Sequence, residues 1–187
     1  MHRKSDILNT ARDLFSEHGY HGTTMRTLAK ALDLRGASLY SHINSKEEML
    51  WEIVNRAADQ FQACAEAISR DIPVEEQLKQ LIRGHLEVIA RELPYATVFF
   101  HEWKFLTPEL REQVKMRRDA HEAHFRRVIE EGIRQGVFHV EDAHIATLFV
   151  LSALNWTYQW FHLDGELSIE ELSDRYIALI LSALKAS

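Results

Sequence analysis

The sequence predicts an all-α fold, and three observations carry that prediction. Apolar residues recur at three- and four-residue spacing along nearly the whole chain, and no stretch alternates apolar with polar residues as a half-buried strand does. The 187 residues include only 7 Gly and 3 Pro, and Pro73, Pro94 and Pro108 each stand where a periodic run begins. Short polar side chains suited to helix capping precede several of those runs. About nine helices with mostly short connections follow, arranged as a helical bundle.

Ile7, Leu8, Ala11, Leu14 and Phe15 mark one face of a first helix, which Gly19 ends. Thr23-Thr24 offers an N-cap for a short second helix carrying Met25, Leu28 and Ala29. A brief connection at Leu32-Asp33-Leu34 leads to a third short helix with Leu39 and Tyr40. Asn44-Ser45 caps the fourth, with Glu47 and Glu48 in its first turn, where the helix dipole favours acids. Its apolar positions Leu50, Val54, Ala57 and Phe61 run far past the third helix, so it is expected to join two domains, residues 1–50 and 51–187. Pro73 and Pro94 open later helices, and Thr107-Pro108-Glu109 reads as N-cap, N1 proline and dipole-favoured acid. Gly136 closes that long helix. Residues 143–160 are apolar on nearly every face, and Ser168-Ile169-Glu170-Glu171 opens the last helix with capping-box spacing.

Composition narrows the function. Apolar residues make up 46% and charged residues 27%, ordinary for a globular protein. Cys64 is the only cysteine, which excludes an internal disulfide, a Cys-based zinc site and an iron–sulfur cluster, and fits a reducing compartment. No apolar run approaches the roughly 20 residues of a membrane span, and Met1-His2-Arg3-Lys4-Ser5-Asp6 leads into an amphipathic pattern rather than a signal peptide. A cytoplasmic protein with no membrane partner is expected. The net charge is −6, yet residues 1–50 hold 7 Lys/Arg against 6 Asp/Glu, so the deficit lies wholly in the remainder. Such a chain brings its N-terminal end to DNA while the rest is mildly repelled.

Three short helices within the first forty-odd residues fit a helix-turn-helix. Leu28, Ala29, Leu34 and Leu39 are spaced so that two crossed helices share one small core. Arg35, Gly36, Ser38, Tyr40 and Ser41 are then left on the outer faces of the third helix, which fits a major groove where short side chains and an Arg read base edges. Thr24 at a helix N-terminus, His42 and Lys46 are natural phosphate ligands. The same residues would also serve a plain helical core and solvated surface.

Residues 7–50 resemble the DNA-binding domain of the TetR family of bacterial repressors. The resemblance rests on Ala11, Leu14, Phe15, Gly19, Tyr20, Thr23-Thr24-Met25, Leu28-Ala29, Ala37-Ser38-Leu39-Tyr40, His42 and Ser45-Lys46-Glu47. It implies that Thr24 and Arg26 approach the DNA backbone, that residues 35–41 form the recognition helix, and that Tyr40, His42 and Lys46 hold phosphates. Two positions depart from the family pattern: Arg35 stands where a small capping Ser or Thr is frequent, and Leu32 where Gly is usual.

The remaining residues leave two tasks, pairing and sensing. The apolar helix, with Ile145, Ala146, Leu148, Phe149, Val150, Leu151, Ala153, Leu154, Trp156 and Trp160, and the last, with Leu172, Tyr176, Leu179, Ile180 and Ala183, are expected to pack against their symmetry mates as a four-helix homodimer interface. The family resemblance implies the same arrangement; burial within one chain is the competing reading. Phe99, Phe100, Trp103, Phe105, Phe125, Trp156, Tyr158, Trp160 and Phe161 fall in three segments that could surround one cavity. Between them, residues 111–127 hold Arg111, Lys115, Arg117, Arg118, Arg126 and Arg127 against three acids. An apolar cavity rimmed by Arg and Lys suits a ligand with a greasy tail and phosphates. Plain core and a solvated helix face are the alternatives.

Phe100-His101-Glu102-Trp103-Lys104-Phe105-Leu106, the stretch from Gly132 to Gly136-Val137-Phe138, and Leu154-Asn155-Trp156-Thr157-Tyr158-Gln159-Trp160-Phe161 look like the TetR subgroup that answers to coenzyme A thioesters. That resemblance implies an acyl-CoA inducer, with Phe99, Phe100, Trp103, Phe125, Asn155, Trp156 and Trp160 near the acyl part and Arg111, Lys115 and Arg118 near the phosphates. It implies control of fatty-acid, phenylacetate or sterol-ring degradation. A hydrophobic or aromatic ligand without CoA, as in efflux control, is the alternative.

Rival classes have less behind them. No Gly-rich phosphate loop, Gly-x-Ser-x-Gly elbow or Cys/His nucleophile setting is present, so no catalytic residues, no enzyme activity and no cofactor are expected. His121 and His124 stand at i, i+3 rather than at the i, i+4 of a His-Glu-x-x-His metal pair, so no metal site is expected either. A pure helical interaction module explains the bundle but not the Thr, Arg, Tyr and Lys of the first helices.

Overall fold

The computed structural model describes residues 4–186; Met1, His2, Arg3 and Ser187 lie outside it, and with them the first residues of the N-terminal lead-in. Among the described residues there are nine α-helices and no strand, the all-α class that the periodicity predicts. They are α1 (Lys4–Gly22), α2 (Met25–Ala31), α3 (Gly36–Tyr40), α4 (Lys46–Glu66), α5 (Val74–Arg91), α6 (Leu93–Thr97), α7 (Pro108–Arg134), α8 (Ala143–Trp156) and α9 (Ile169–Lys185). A π-helical turn, Val98–Glu102, and a 3₁₀ turn, Trp103–Phe105, follow α6, and a second 3₁₀ turn, Thr157–Gln159, follows α8.

The capping chemistry lies largely where the sequence placed it. The Thr24 side chain accepts from Thr27 N–H at 3.1 Å while the Thr27 hydroxyl answers Thr24 N–H at 2.9 Å. Ser45 caps α4 by accepting from Glu48 N–H at 3.0 Å, and Glu48 reaches back to Asn44. Ser168 and Glu171 form the expected capping box of α9. α5 starts directly after Pro73, α7 starts at Pro108, and the chain leaves α7 through Gly136 at φ +70°. Three boundaries differ from expectation. Gly19 kinks α1 at φ +74°, ψ 163° rather than ending it, because one further turn forms beyond it. The recognition helix is shorter than residues 35–41, with Arg35 as N-cap and Ser41 as C-cap. The apolar helix stops at Trp156 instead of Trp160, where the backbone tightens to 3₁₀.

The chain divides into two compact units, each built from two stretches of sequence. Residues up to Asp59 join residues 93–116, and residues 60–92 join those from Arg117 onward. Packing therefore groups residues 93–116 with the N-terminal helices, whereas a single cut after residue 50 does not. The reason is visible within the first unit: the Arg12 and Arg56 guanidinium groups each lie 4.7 Å from the Tyr95 ring, and the Tyr95 hydroxyl donates to Asn9 Oδ1 at 3.2 Å. Buried apolar side chains of this unit include Phe15, Leu28, Leu39, Leu50, Val54 and Tyr95. In the second unit, Leu78, Leu81, Ile82 and Leu86 of α5 pack with Phe125, Val128 and Ile129 of α7, Val150 and Leu154 of α8, and Ile177 and Ile180 of α9.

Candidate functional site

The first unit presents a short exposed helix on a capped support. Leu28 and Ala29 of α2 and Leu39 of α3 are buried, and Leu34 N–H donates to Ala29 O at 2.8 Å, closing the turn between the two helices. That internal pinning turns the rest of α3 outward: Arg35, Gly36, Ser38, Tyr40 and Ser41 are exposed, Tyr40 to 54%. Thr24 and Arg26 are exposed beside them, and His42 is half-buried. A surface cleft of about 540 Å3 runs between the helices, lined by Met25, Arg26, Ala29, Lys30, Leu34, Gly36 and Tyr40. Arg35 is the N-cap of α3 but makes no side-chain cap bond, since a guanidinium has no acceptor for the backbone N–H groups there. Arg26, Lys30 and Arg35 flank this face with Asp33 as the one acid between them.

Two residues expected at the DNA, Lys46 and Ser41, carry internal work as well. The Lys46 ammonium donates to Tyr20 O and Thr23 O, both at 2.8 Å, and lies 4.1 Å from the Tyr20 ring centroid. Burial lowers its pKa from the ordinary lysine value. Lys46 thus closes the carbonyl end of α1, a role the sequence does not announce because those carbonyls are more than twenty residues away. The Ser41 hydroxyl donates back to Ser38 O at 2.7 Å.

The residues expected to hold a ligand are divided between the units. In the first, Phe99 is buried and meets Phe100 edge-on with ring centroids 5.0 Å apart. Trp103 and Arg111 are half-buried, and Lys115 is exposed with its ammonium 3.2 Å from Glu112. In the second, Arg118 is half-buried, and burial lowers its pKa against the opposing charges of Asp119 and Tyr158. Phe125 is fully enclosed in the core. Trp156 and Trp160 correct the expectation of interior aromatics: they are 63% and 41% exposed in the single chain, because Trp156 falls on the outward stripe of α8 and Trp160 lies past the helix end.

The second unit also holds a polar centre that composition does not reveal. His85 of α5 and His121 of α7 are buried and share a hydrogen bond between ring nitrogens 3.1 Å apart. Phe61 and Phe125 surround them, at ring-centroid distances of 4.8 to 6.1 Å. Burial and the neighbouring His121 hold His85 well below the usual histidine value, partly offset by a hydrogen bond that the ring donates to Asn155. Burial and His124 bring His121 down to about 4. His124 itself turns to Gln62 at 3.2 Å, so the two histidines of the i, i+3 pair face different partners. Asn155 and Phe125 are the expected ligand residues that join this centre. The remaining signal in the sequence is a single His in the middle of an apolar helix, which is also what a plain core histidine looks like.

Known proteins resemble this chain along its whole length. Residues 7–53 match the family described as "Bacterial regulatory proteins, tetR family", and residues 71–184 match "Tetracyclin repressor-like, C-terminal domain". The HTH-type transcriptional repressor KstR2 of Rhodococcus jostii is 26% identical over 188 residues, covering 97% of this chain and 91% of that protein. Among solved structures, the TetR family transcriptional regulator PfmR of Thermus thermophilus has a TM-score of 0.88 at 37% identity, covering 96% of this chain and 99% of that one. AibR, solved in complex with isovaleryl coenzyme A and operator DNA, has a TM-score of 0.85 at 27% identity, covering 95% and 97%.

Proposed function

Because this chain belongs to the TetR family of bacterial regulatory proteins, we propose that it is a homodimeric repressor released from a pseudo-palindromic operator by a CoA thioester. The observation that carries the DNA half is the outward face of α3, where Arg35, Ser38 and Tyr40 stand exposed on a helix pinned from behind by Leu39. In the proposed complex two such helices enter successive major grooves about 34–36 Å apart. Arg35 and Ser38 meet base edges, with Thr24, Arg26, Tyr40 and His42 on phosphates. The ligand half is supported by the AibR complex, whose isovaleryl coenzyme A and operator belong to a relative alike over nearly the whole chain. The Arg-rich stretch of α7 adds the charge that CoA phosphates call for. The controlled genes would then serve acyl or aromatic acid degradation.

Ligand and operator oppose each other reciprocally, typically by 1–3 kcal/mol, or about 5- to 150-fold. The test is a gel shift with duplex DNA from upstream of the protein's own gene, followed by titration with straight-chain, branched and phenylacetyl CoA esters. Tyr40→Ala is expected to abolish the shift at an unchanged melting temperature, since the ring is largely outside the core. Release by one class of CoA ester identifies the inducer. Release only by free aromatic or lipophilic compounds points instead to efflux control.

A further inference from the structure

The kinked end of α1, from Gly19 to Thr23, is a joint. Thr23 is buried, and its hydroxyl proton is shared between Leu14 O and Gly19 O, each 3.0 Å away, bracing the kink across itself. Thr24, the N-cap of α2, comes next, so the direction in which the chain leaves this joint is the direction in which the helix-turn-helix is held. Lys46 ties the joint to α4 through the carbonyls of Tyr20 and Thr23. The turns after α6 hold its other side. Glu102, almost fully buried, accepts the Tyr20 N–H at 2.6 Å on Oε2 and faces His101 Nδ1 at 2.7 Å on Oε1. Phe105 stacks on Tyr20 at 5.9 Å and meets His21 edge-on at 4.3 Å.

Glu102 is the last residue of the π-helical turn Val98–Glu102. A π turn carries one residue more than an α turn and rotates the next stretch of chain by about 100°, and such turns recur at functional positions. Here the same turn holds Phe99 and Phe100, with Trp103 directly after it. Aromatic residues expected near a ligand and the carboxylate that grips α1 are therefore neighbours on one irregular turn. A buried carboxylate is costly unless paired, and this one is answered by the backbone N–H of the residue that follows the kink at Gly19.

We propose that Glu102 is a positioning residue for operator binding: its carboxylate, holding the Tyr20 N–H at the kink of α1, sets the orientation in which α2 and α3 are presented to DNA. This rests on the DNA-binding reading above. Glu102 touches no nucleic acid in this account and acts only through the joint.

The test measures operator affinity, its salt dependence, the melting temperature and hydrogen exchange at the Tyr20 amide in the full-length wild-type, Glu102→Ala and Glu102→Gln chains. The probe is the same upstream duplex. Gln keeps an acceptor oxygen for Tyr20, whereas Ala removes it. Glu102→Ala is expected to weaken operator binding by about tenfold or more, the scale of one hydrogen bond to a buried carboxylate. It is also expected to flatten the plot of log affinity against log salt, because a misdirected reader engages fewer phosphates. The Tyr20 amide exchanges faster in that variant, and Glu102→Gln stays within about threefold of wild type, since the acceptor survives. Wild-type affinity and salt slope in Glu102→Ala overturn the proposal while leaving the DNA-binding reading intact. So does equal loss in both variants with a matching fall in melting temperature, which reduces Glu102 to a general support of the fold. A wild-type chain that ignores the duplex removes the DNA-binding reading and this proposal together.

Discussion

His85 and His121 bring two ring nitrogens to 3.1 Å inside a shell that includes Phe61 and Phe125, where a charged imidazole has little water to answer it. Both rings therefore remain neutral in the fold at pH values where they would be protonated in the unfolded chain, near 6.5. Between that value and the depressed folded values the unfolded state binds more protons, so stability is full above pH 6.5 and falls as the pH drops. For His121 alone, whose folded value is about 4, the loss on going from pH 6.5 to 4 is about 3 kcal/mol. Melting temperatures across that range are expected to fall steeply in the wild type and less steeply in His121→Gln, which carries one titrating ring fewer. Identical pH profiles would show that this pair does not govern acid stability.

Helix α7 shows how an element is ended and what its end demands. Past Gly136 the chain doubles back, and the N–H groups of Val137 and Phe138 both donate to Gly132 O, at 2.8 and 3.1 Å. The Phe138 ring then lies so close to the Gly132 Cα that a Cβ there would sit 2.1 Å from it. Gly132→Ala must push out a ring that is itself fully buried, at an expected loss of about 1–3 kcal/mol in a denaturant titration. A helix-interior Ala otherwise stabilises by about 1 kcal/mol relative to Gly, so a gain in stability instead of a loss would show that the Phe138 ring moves aside at little cost. Signals of this local kind were legible in the sequence: Thr24, Ser45 and Ser168 act on N–H groups within three residues, and Gly136 acts on its own dihedral angle. The grip of Glu102 on α1 was not, because its partner is an amide 82 residues away. For the same reason the outward face of α3 could be read from spacing, whereas the second task of Lys46 could not. Aromatic and basic composition alone also fails to separate an interior ring such as Phe125 from an exterior one such as Trp156.

At the scale of the whole molecule, the exposed apolar surface of the second unit is where the proposed homodimer would pair. Ile145, Leu148, Phe149 and Trp156 repeat at helical spacing along one side of α8, and Leu179 of α9 is 69% exposed. The opposite side of α8, with Val150 and Leu154, is already used in the core of its own chain, as are Leu172 and Ile180 of the α9 stripe. An apolar row of this kind on one unit is the mark of an interaction surface, and a twofold axis presents each of its residues twice. Phe149→Glu therefore places two carboxylates at the proposed homodimer interface, where each must be stripped of water without a partner. The variant is expected to sediment as a monomer and to lose operator binding by about tenfold or more, since a single reader reaches only one half-site. Its circular dichroism should match the wild type, because the Phe149 ring lies outside the single-chain core. The wild-type melting temperature should rise with protein concentration and that of Phe149→Glu should not, as mass action requires when folding and pairing are linked. A Phe149→Glu chain that remains dimeric and still shifts the duplex would place the partner surface elsewhere on the molecule.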